Sequence, residues 1–266
     1  MSASVRRPAV AGQFYTDDPV HLRAEVDKLL EAAGTPPDSA PKAVIAPHAG
    51  FMFSGGVAAT AYRRLAPARG RIQRVIVLGP SHFVPVRGLA ASSADVFASP
   101  LGDLPVDRAG IDTALAQPGV EVHDAAHARE HSLETQFPFI QRVLGDVAVV
   151  PLVVGHATAA EVGRVLAALW GGEETAIAIS SDLSHFHPDA EARELDEATA
   201  RAIEALQGEA LGPGNACGFL PVAGLLWNAD REGARVRCLE LRNSSDAGAP
   251  RDSVVGYGAF ELTEAA

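Results

Sequence analysis

Residues 74–82 read RVIVLGPSH, a short apolar run that ends in a Gly-Pro-Ser-His turn. A continuous apolar run of this length, bounded by turn-forming residues, is typical of a strand buried on both faces of a sheet. The same pattern appears at residues 43–48 (AVIAPH) and 176–185 (AIAISSDLSH). Three such strands predict a sheet that other elements cover on both sides.

Segments with the apolar spacing of helices lie between these strands. Asp18 and Pro19 predict the start of a first helix, as N-cap and first helical residue. Thr158 and Glu161 form a T-x-x-E capping box at the start of another. A further buried strand is predicted at residues 147–154, directly before that capping box.

Other segments fit the alternation less simply. A helix is predicted from about Gly55, on the spacing of the apolar residues that follow it. Another is predicted over residues 130–144, where Pro138 requires a kink or a later start. Two final strands, at residues 235–241 and 253–262, are adjacent in the chain and are expected to pair antiparallel.

Strands that alternate with helices predict an α/β fold. We expect one domain over residues 1–266, with a mostly parallel central sheet covered by helices on both faces. In open α/β sheets, ligands bind outside the carboxyl ends of the strands. The loops after the strands are therefore where a functional site is expected.

Composition and charge exclude several classes of function. The chain has 266 residues and a net charge of −11, which argues against nucleic acid or an anionic membrane surface as a partner. Its two cysteines, Cys217 and Cys238, form no C-x-x-C pair, so neither a disulfide framework nor a thiolate zinc cluster is expected. The first residues lack the apolar segment of a secretory signal, which favours a cytoplasmic location.

Polar residues with metal-binding chemistry follow several of the strands. His48, His82 and His185 each come just after a different apolar run, and Asp246 follows a later strand. If the sheet is parallel, the histidine loops open at one edge and their side chains converge. Imidazole and carboxylate groups suit divalent metals, and two histidines with one carboxylate leave open positions, as in non-haem Fe(II) oxygenases.

A second group of polar residues precedes the helix predicted near residue 140. His127, His131 and Glu134 share one helical face if the segment is helical, and His123 lies just before them. Two interpretations stay open. Either His131 and Glu134 reach the site, or the segment is simply a polar helix N-terminus.

Nucleophilic chemistry has two candidates. Ser81 and Ser184 each precede a histidine, but the nucleophile elbow G-x-S-x-G is absent from the chain, which argues against a serine hydrolase. Cys217, in the sequence NACGF, is either a small buried residue or a thiol activated by a nearby histidine and a helix N-terminus.

Eight motifs together resemble the Memo family, called AmmeMemoRadiSam system protein B in bacteria. They are RPAVAGQFY, APHAGFMFSG, LGPSH, EHSLETQFPF, PLVVG, SSDLSH, NACG and DSVVGYGA, and they span nearly the whole chain in the family's order. The resemblance implies a fold similar to the class III (LigB-type) extradiol dioxygenases. Those enzymes bind Fe(II) with two histidines and one carboxylate, and a further histidine acts as acid and base.

The resemblance also implies roles for individual residues. His48 and His82 match the two histidine ligands, and His185 matches the acid/base histidine. Animal Memo proteins have a cysteine in the loop that matches NSSDAG, where an ungapped match places Ala247. Asp246, beside it, would supply a carboxylate as the third ligand. Fe(II) is then the expected metal, with Cu, Zn or Mn as alternatives.

Three functions remain open on the sequence. The first is an Fe(II)-dependent oxidoreductase of the dioxygenase type, in which His185, oriented by Asp182, moves a proton. The second is a non-catalytic module that binds a peptide or a small molecule in the same cleft. The third is metal-assisted hydrolysis, which needs only a bound water and a general base.

Overall fold

The apolar runs of the sequence form the strands of the computed structural model, which describes residues 3–264. The strands are β1 (Val5–Arg6), β2 (Ala43–Ala46), β3 (Arg74–Pro80), β4 (Leu89–Ala91), β5 (Val96–Ser99), β6 (Gly102–Pro105), β7 (Val120–Val122), β8 (Ala148–Val154), β9 (Thr175–Ser180), β10 (His185–His187), β11 (Arg235–Asn243) and β12 (Val254–Thr263). The α-helices are α1 (Pro19–Ala32), α2 (Phe51–Arg63), α3 (Arg108–Leu115), α4 (Asp124–Ala128), α5 (Phe137–Leu144), α6 (Ala159–Leu169), α7 (Asp189–Glu204) and α8 (Phe219–Arg231).

The main sheet has four parallel strands in its middle and antiparallel strands outside them. The parallel strands lie in the order β2, β9, β3, β8. Outside them, β12 pairs antiparallel with β2, and β4 with β8. The sheet is therefore mixed, with the predicted parallel strands at its centre and antiparallel strands beside them. One reason is that only a short 3-10 helix, Ser244–Ala247, separates β11 from β12, so those two strands form the antiparallel pair that was predicted.

Helices cover the sheet in two groups. α1, α2 and α5 pack against one another, as do α6 and α8 with α3, while α7 packs on β11 and β12. Every residue of β2 and of β9 is buried, so both faces of these strands are covered, as predicted. β1, β5 and β6 form a separate three-stranded sheet. No helix within residues 3–264 is long and apolar enough to cross a bilayer.

Local sequence signals fixed several helix ends. Asp18 caps α1, and its carboxylate accepts from the next helical amides; both halves of the capping box predicted for α6 are formed. α2 begins at Phe51 rather than near Gly55, because Phe51 is buried and extends the apolar face back by one turn. α5 begins at Phe137, so Pro138 occupies the first turn, where its missing N–H costs nothing.

The topology gathers several loops at one edge of the sheet. β2, β3 and β9 run parallel, so the loops that carry His48, His82 and Asp182 open on the same side, as predicted. β10 lies on the same side of β12 as β2 does. In a strand, the backbone hydrogen-bonding groups of residues an even number apart point to the same side. The Leu262 carbonyl accepts from the N–H of Lys42, next to β2, and the Gly256 N–H, six residues earlier, donates to the Ser184 carbonyl. This placement carries His185 toward the same edge.

A candidate metal centre of three histidines

Three histidine side chains meet at the carboxyl ends of the parallel strands. His48, His82 and His131 each offer one ring nitrogen, and the three nitrogens lie within 4.8 Å of one another. The rings of His82 and His131 stack with centroids 4.5 Å apart. The ring of His48 stands edge-on to both, at 5.2 and 5.5 Å. Neutral imidazoles gathered in this way are ligands for divalent transition metals.

His131 reaches the cluster through its neighbour Ser132. The Ser132 hydroxyl donates to the Pro80 carbonyl at 3.0 Å, and the Ser132 carbonyl accepts from the Ser180 hydroxyl at 2.6 Å. The segment is thereby tied to the ends of β3 and β9. Position 79 must be glycine for this approach, since a Cβ there would lie 2.6 Å from the Ser132 hydroxyl oxygen.

The tautomer of His48 follows from its hydrogen bonds. The Ser180 hydroxyl has one hydrogen, which it donates to Ser132, so its oxygen accepts from Nδ1 of His48 at 2.7 Å. Complete burial, then the charges of His82 and His131, hold the pKa of His48 well below its usual value. His48 is therefore neutral and protonated on Nδ1, and Nε2 keeps its lone pair.

His82 is fixed in a similar way by Glu130, a residue that sequence reasoning missed. Glu130 accepts from Nδ1 of His82 at 2.9 Å and from its main-chain N–H at 2.7 Å. It also accepts from the main-chain N–H groups of His131 and Ser132. Burial alone would raise the pKa of Glu130, but these hydrogen bonds lower it to about 2. An acidic residue directly before His131 was the available sequence signal.

His131 has a ring nitrogen without a protein partner. Within residues 3–264, its buried Nδ1 makes no hydrogen bond, and it lies 3.5 Å from a Glu130 oxygen. The ring packs edge-on against Phe14 at 4.9 Å. Burial, and then the charge of His82, lower the pKa of His131, so its ring is neutral. The neutral His131 ring therefore has a nitrogen lone pair with which it could bind a metal.

Asp182 and Cys217 lie against His48. Asp182 accepts from the His48 main-chain N–H at 2.7 Å, and its other oxygen is 4.0 Å from Nε2. The Cys217 sulfur lies 3.2 Å from the same Nε2. Burial, and then the charge of Asp182, raise the pKa of Cys217 to about 12. The thiol is therefore protonated near neutral pH, and the activated thiolate considered for Cys217 is not favoured.

His185 stands outside the three-histidine cluster but near it. A charge on its ring would act on the pKa values of both Asp182 and His48. In the described part of the chain, no hydrogen bond joins Asp182 to His185. Asp182 faces His48 instead, which differs from the predicted pairing of Asp182 with His185.

The structure does not bring Asp246 into the cluster found among residues 3–264. Its carboxylate accepts from Arg193 at 2.9 Å and from the Asn243 main-chain N–H at 2.9 Å, which closes a capping box at the end of β11. Both carboxylate oxygens of Asp246 therefore accept hydrogen bonds from groups outside the histidine cluster. The third member of the cluster is His131, and Asp246, the predicted third ligand, lies outside it.

Glu134 and His127 have positions that serve the fold. Glu134 is fully buried and pairs with Arg6, and it also accepts from Tyr15 and from two main-chain N–H groups of the N-terminal segment. His127 lies in α4, a separate short helix, where its Nε2 is 3.0 Å from the Ala90 carbonyl. His131 and Glu134 therefore do not act together in the site.

Comparisons with known proteins agree with the motifs. The family model described as Memo-like protein matches residues 6–261. MEMO1 family protein MTH_45 of Methanothermobacter thermautotrophicus is 35% identical, with 95% of this chain and 98% of that protein covered. A MEMO1 family protein of Aquifex aeolicus is 36% identical, over 78% of this chain and 77% of that protein.

The fold is similar to that of a solved structure. It is the crystal structure of uncharacterized protein JW3007 from Escherichia coli K12, with a TM-score of 0.52 and 14% identity. The match covers 82% of this chain and 98% of that chain. The family match over nearly the whole sequence, together with relatives at 35% identity, shows that this chain belongs to the Memo-like family.

Proposed function

We propose that this chain is a metal-dependent oxidoreductase whose metal, Fe(II), is held by His48, His82 and His131. One observation carries the proposal. The Nδ1 atoms of His48 and His82 both donate to protein acceptors, so Nε2 of each ring carries a lone pair, which in His48 faces the Cys217 sulfur at 3.2 Å.

The donor set fits a divalent transition metal. Metal-binding histidines commonly donate their second ring nitrogen to a carboxylate or another acceptor, which fixes ring orientation and raises ligand basicity. Ser180 and Glu130 supply those acceptors here, and His131 adds a buried nitrogen without a protein partner. Imidazole suits iron, copper and zinc, whereas Mn favours carboxylates. The resemblance to the LigB-type dioxygenases favours Fe(II) among these.

Residues of this chain would do the positioning and move the proton. A bound metal supplies Lewis acidity and a redox centre. Ser180 and Glu130 hold two ligand rings in place, and Asp182 holds the main chain of His48. His185 is near the cluster but not part of it, so we assign it the proton transfer that the reaction requires.

Metal-assisted hydrolysis is the second candidate. The three-histidine cluster has no carboxylate member among residues 3–264, and three histidines are the ligand set of a catalytic zinc site such as that of carbonic anhydrase. A zinc-bound water at such a site ionises near neutral pH. The metal found in the protein as isolated separates the two candidates.

The test begins with protein purified without oxygen and analysed for metal. Calorimetric titration of the metal-free protein with Fe(II) should give one tight site. His48→Ala, His82→Ala and His131→Ala should each lose most of the affinity. His21→Ala, an exposed histidine on α1, and Asp246→Ala should bind as the wild type does.

Activity assays then separate the candidates. Oxygen uptake by the Fe(II) form with an oxidisable substrate supports the oxidoreductase, and hydrolysis of an activated ester by the Zn(II) form supports the second candidate. A metal-loaded protein that does neither is a binding module. Full affinity in the His48→Ala/His82→Ala double variant, or loss of metal in Asp246→Ala, would overturn the ligand set.

A further inference from the structure

Two exposed aromatic side chains follow histidines at the edge of the sheet where the cluster lies. Six large hydrophobic side chains are exposed in the described part of the chain, and the two aromatic ones are Phe83 and Phe186. Each directly follows a site histidine, His82 or His185. Exposed phenylalanine loses the hydrophobic stabilisation of burial, so this coincidence requires an explanation.

Phe186 is also held in a strained conformation. Its φ is +64°, in the left-handed region that a bulky residue rarely adopts. The residue lies where the pairing of β10 with β12 shifts register, a bulge position at which glycine is the usual left-handed residue. The side chain is 76% exposed, so packing in the core does not compensate for the strain. Strain of this kind is concentrated at functional sites.

Phe83 covers part of the histidine cluster. Its ring lies 5.8 Å from the His131 ring and 6.4 Å from the His82 ring, edge-on to both. The Arg129 guanidinium lies over the Phe83 ring, 5.0 Å from its centroid, in a cation–π contact. An apolar wall therefore stands next to the nitrogens that would bind a metal.

We propose that Phe83 and Phe186 determine substrate specificity, by holding the apolar body of a small molecule whose polar head group binds at the histidine site. The inference rests on the proposed metal site and adds the substrate class. That class is an amphipathic small molecule with an oxygen-bearing head and an apolar body about the size of a ring.

The apolar surface is too small for a protein partner. Met52, in the first turn of α2, is the one other large exposed hydrophobic close in sequence to a site histidine. A stable protein interface buries about 800 Å² on each partner, far more than three side chains provide. The remaining exposed hydrophobics, Val5, Val20 and Val122, lie on separate elements.

The test compares two hydroxamates that share one metal-binding head group. Benzohydroxamate carries a phenyl ring and acetohydroxamate a methyl group, and both are titrated by calorimetry into Zn(II)-loaded protein. Burial of the additional apolar area predicts roughly tenfold tighter binding of benzohydroxamate by the wild type. Phe83→Ala and Phe186→Ala should each reduce the ratio of benzohydroxamate affinity to acetohydroxamate affinity several-fold, and acetohydroxamate affinity should stay unchanged. Val122→Ala, an exposed residue on β7 at the far edge of the sheet, should keep the wild-type ratio.

A second variant separates binding from folding. Phe186→Gly removes the ring and the left-handed strain together, so it should unfold at the wild-type temperature or above while losing the phenyl preference. A ratio near one in the wild type, or an unchanged ratio in both alanine variants, would overturn the inference. So would failure of both hydroxamates to bind protein that holds Zn(II), and the metal site would then still stand. Protein that binds no metal at all would overturn the proposed function, and this inference with it.

Discussion

The Nδ1 atom of His48 lies 2.7 Å from the Ser180 hydroxyl oxygen, and this bond decides which nitrogen of the ring carries the hydrogen. Ser180 is the last residue of β9, and His48 follows β2, its parallel neighbour. The bond therefore exists because the two strands end side by side.

Removing the Ser180 hydroxyl should weaken the metal site without removing a ligand. In Ser180→Ala, the His48 ring loses the acceptor that fixes its tautomer, and metal affinity should fall about 10- to 100-fold. Calorimetric titration with Fe(II) measures the change. Ser99→Ala removes a buried hydroxyl that bonds to Gln141, away from the site, and should bind normally. Equal affinities for both variants would contradict the positioning role.

His185 should be needed for turnover and not for metal. His185→Ala should retain wild-type metal content and lose about 10²- to 10⁴-fold in rate, which is the usual contribution of a general acid or base. His48→Ala should lose both metal and activity. Metal analysis alongside oxygen uptake distinguishes the two effects. Loss of metal from His185→Ala would make this residue a ligand.

Glu134 should matter for stability. It accepts hydrogen bonds from Arg6, Tyr15 and main-chain groups of the N-terminal segment, all of them buried or partly buried. Glu134→Gln leaves Arg6 without its counter-charge, so the free energy of unfolding should fall by about 3–5 kcal/mol. Urea unfolding measures it, with the exposed Glu121→Gln as control. If Glu134→Gln lost metal affinity but kept its stability, Glu134 would have a role in the metal site instead.

Buried His127 should make the fold sensitive to acid. Burial lowers the pKa of His127 from 6.5 to about 4, so the unfolded chain takes up a proton before the folded one does. The contribution of His127 is fully present above pH 6.5 and is lost as pH falls toward 4. Between pH 7 and pH 5, wild type should lose about 2 kcal/mol more stability than His127→Gln. The prediction would be contradicted if urea unfolding showed the same loss of stability between pH 7 and pH 5 for the wild type and for His127→Gln.

The chain should unfold as one cooperative unit. β2, from the first fifth of the sequence, lies between β9 and the C-terminal β12, so neither half of the chain holds a complete sheet. We expect a single transition with the same midpoint by circular dichroism and by tryptophan fluorescence. Two stable fragments after limited proteolysis near the middle of the chain would contradict the prediction of one domain over residues 1–266.

The edge at which the site forms could be predicted because each parallel strand carries its own local signal. An apolar run followed by a polar turn identifies a strand end, and parallel strands present their carboxyl ends together. His48 and His82 were found in this way. The same reasoning misplaced the third member of the cluster, since Asp246 also follows a strand and has the chemistry of a ligand.

Glu130 and His131 lie in irregular backbone before α5, in a segment for which the sequence predicted a helix. Their position depends on Ser132, whose hydrogen bonds reach Pro80 and Ser180, residues 52 and 48 positions away. Only the tertiary structure brings such distant groups together. Asp246 is held partly by the distant Arg193 and partly by a local capping box with Asn243.

The sequence by itself determined the four parallel strands, the final antiparallel pair, the starts of α1 and α6, and two of the three clustered histidines, because apolar periodicity and capping act over a few residues. The tertiary structure decided that the sheet is mixed, that His131 completes the cluster, and that Ser180 and Glu130 set the tautomers of its partners. Those outcomes depend on hydrogen bonds between segments far apart in the chain. Such bonds form only once burial has removed water as the alternative partner.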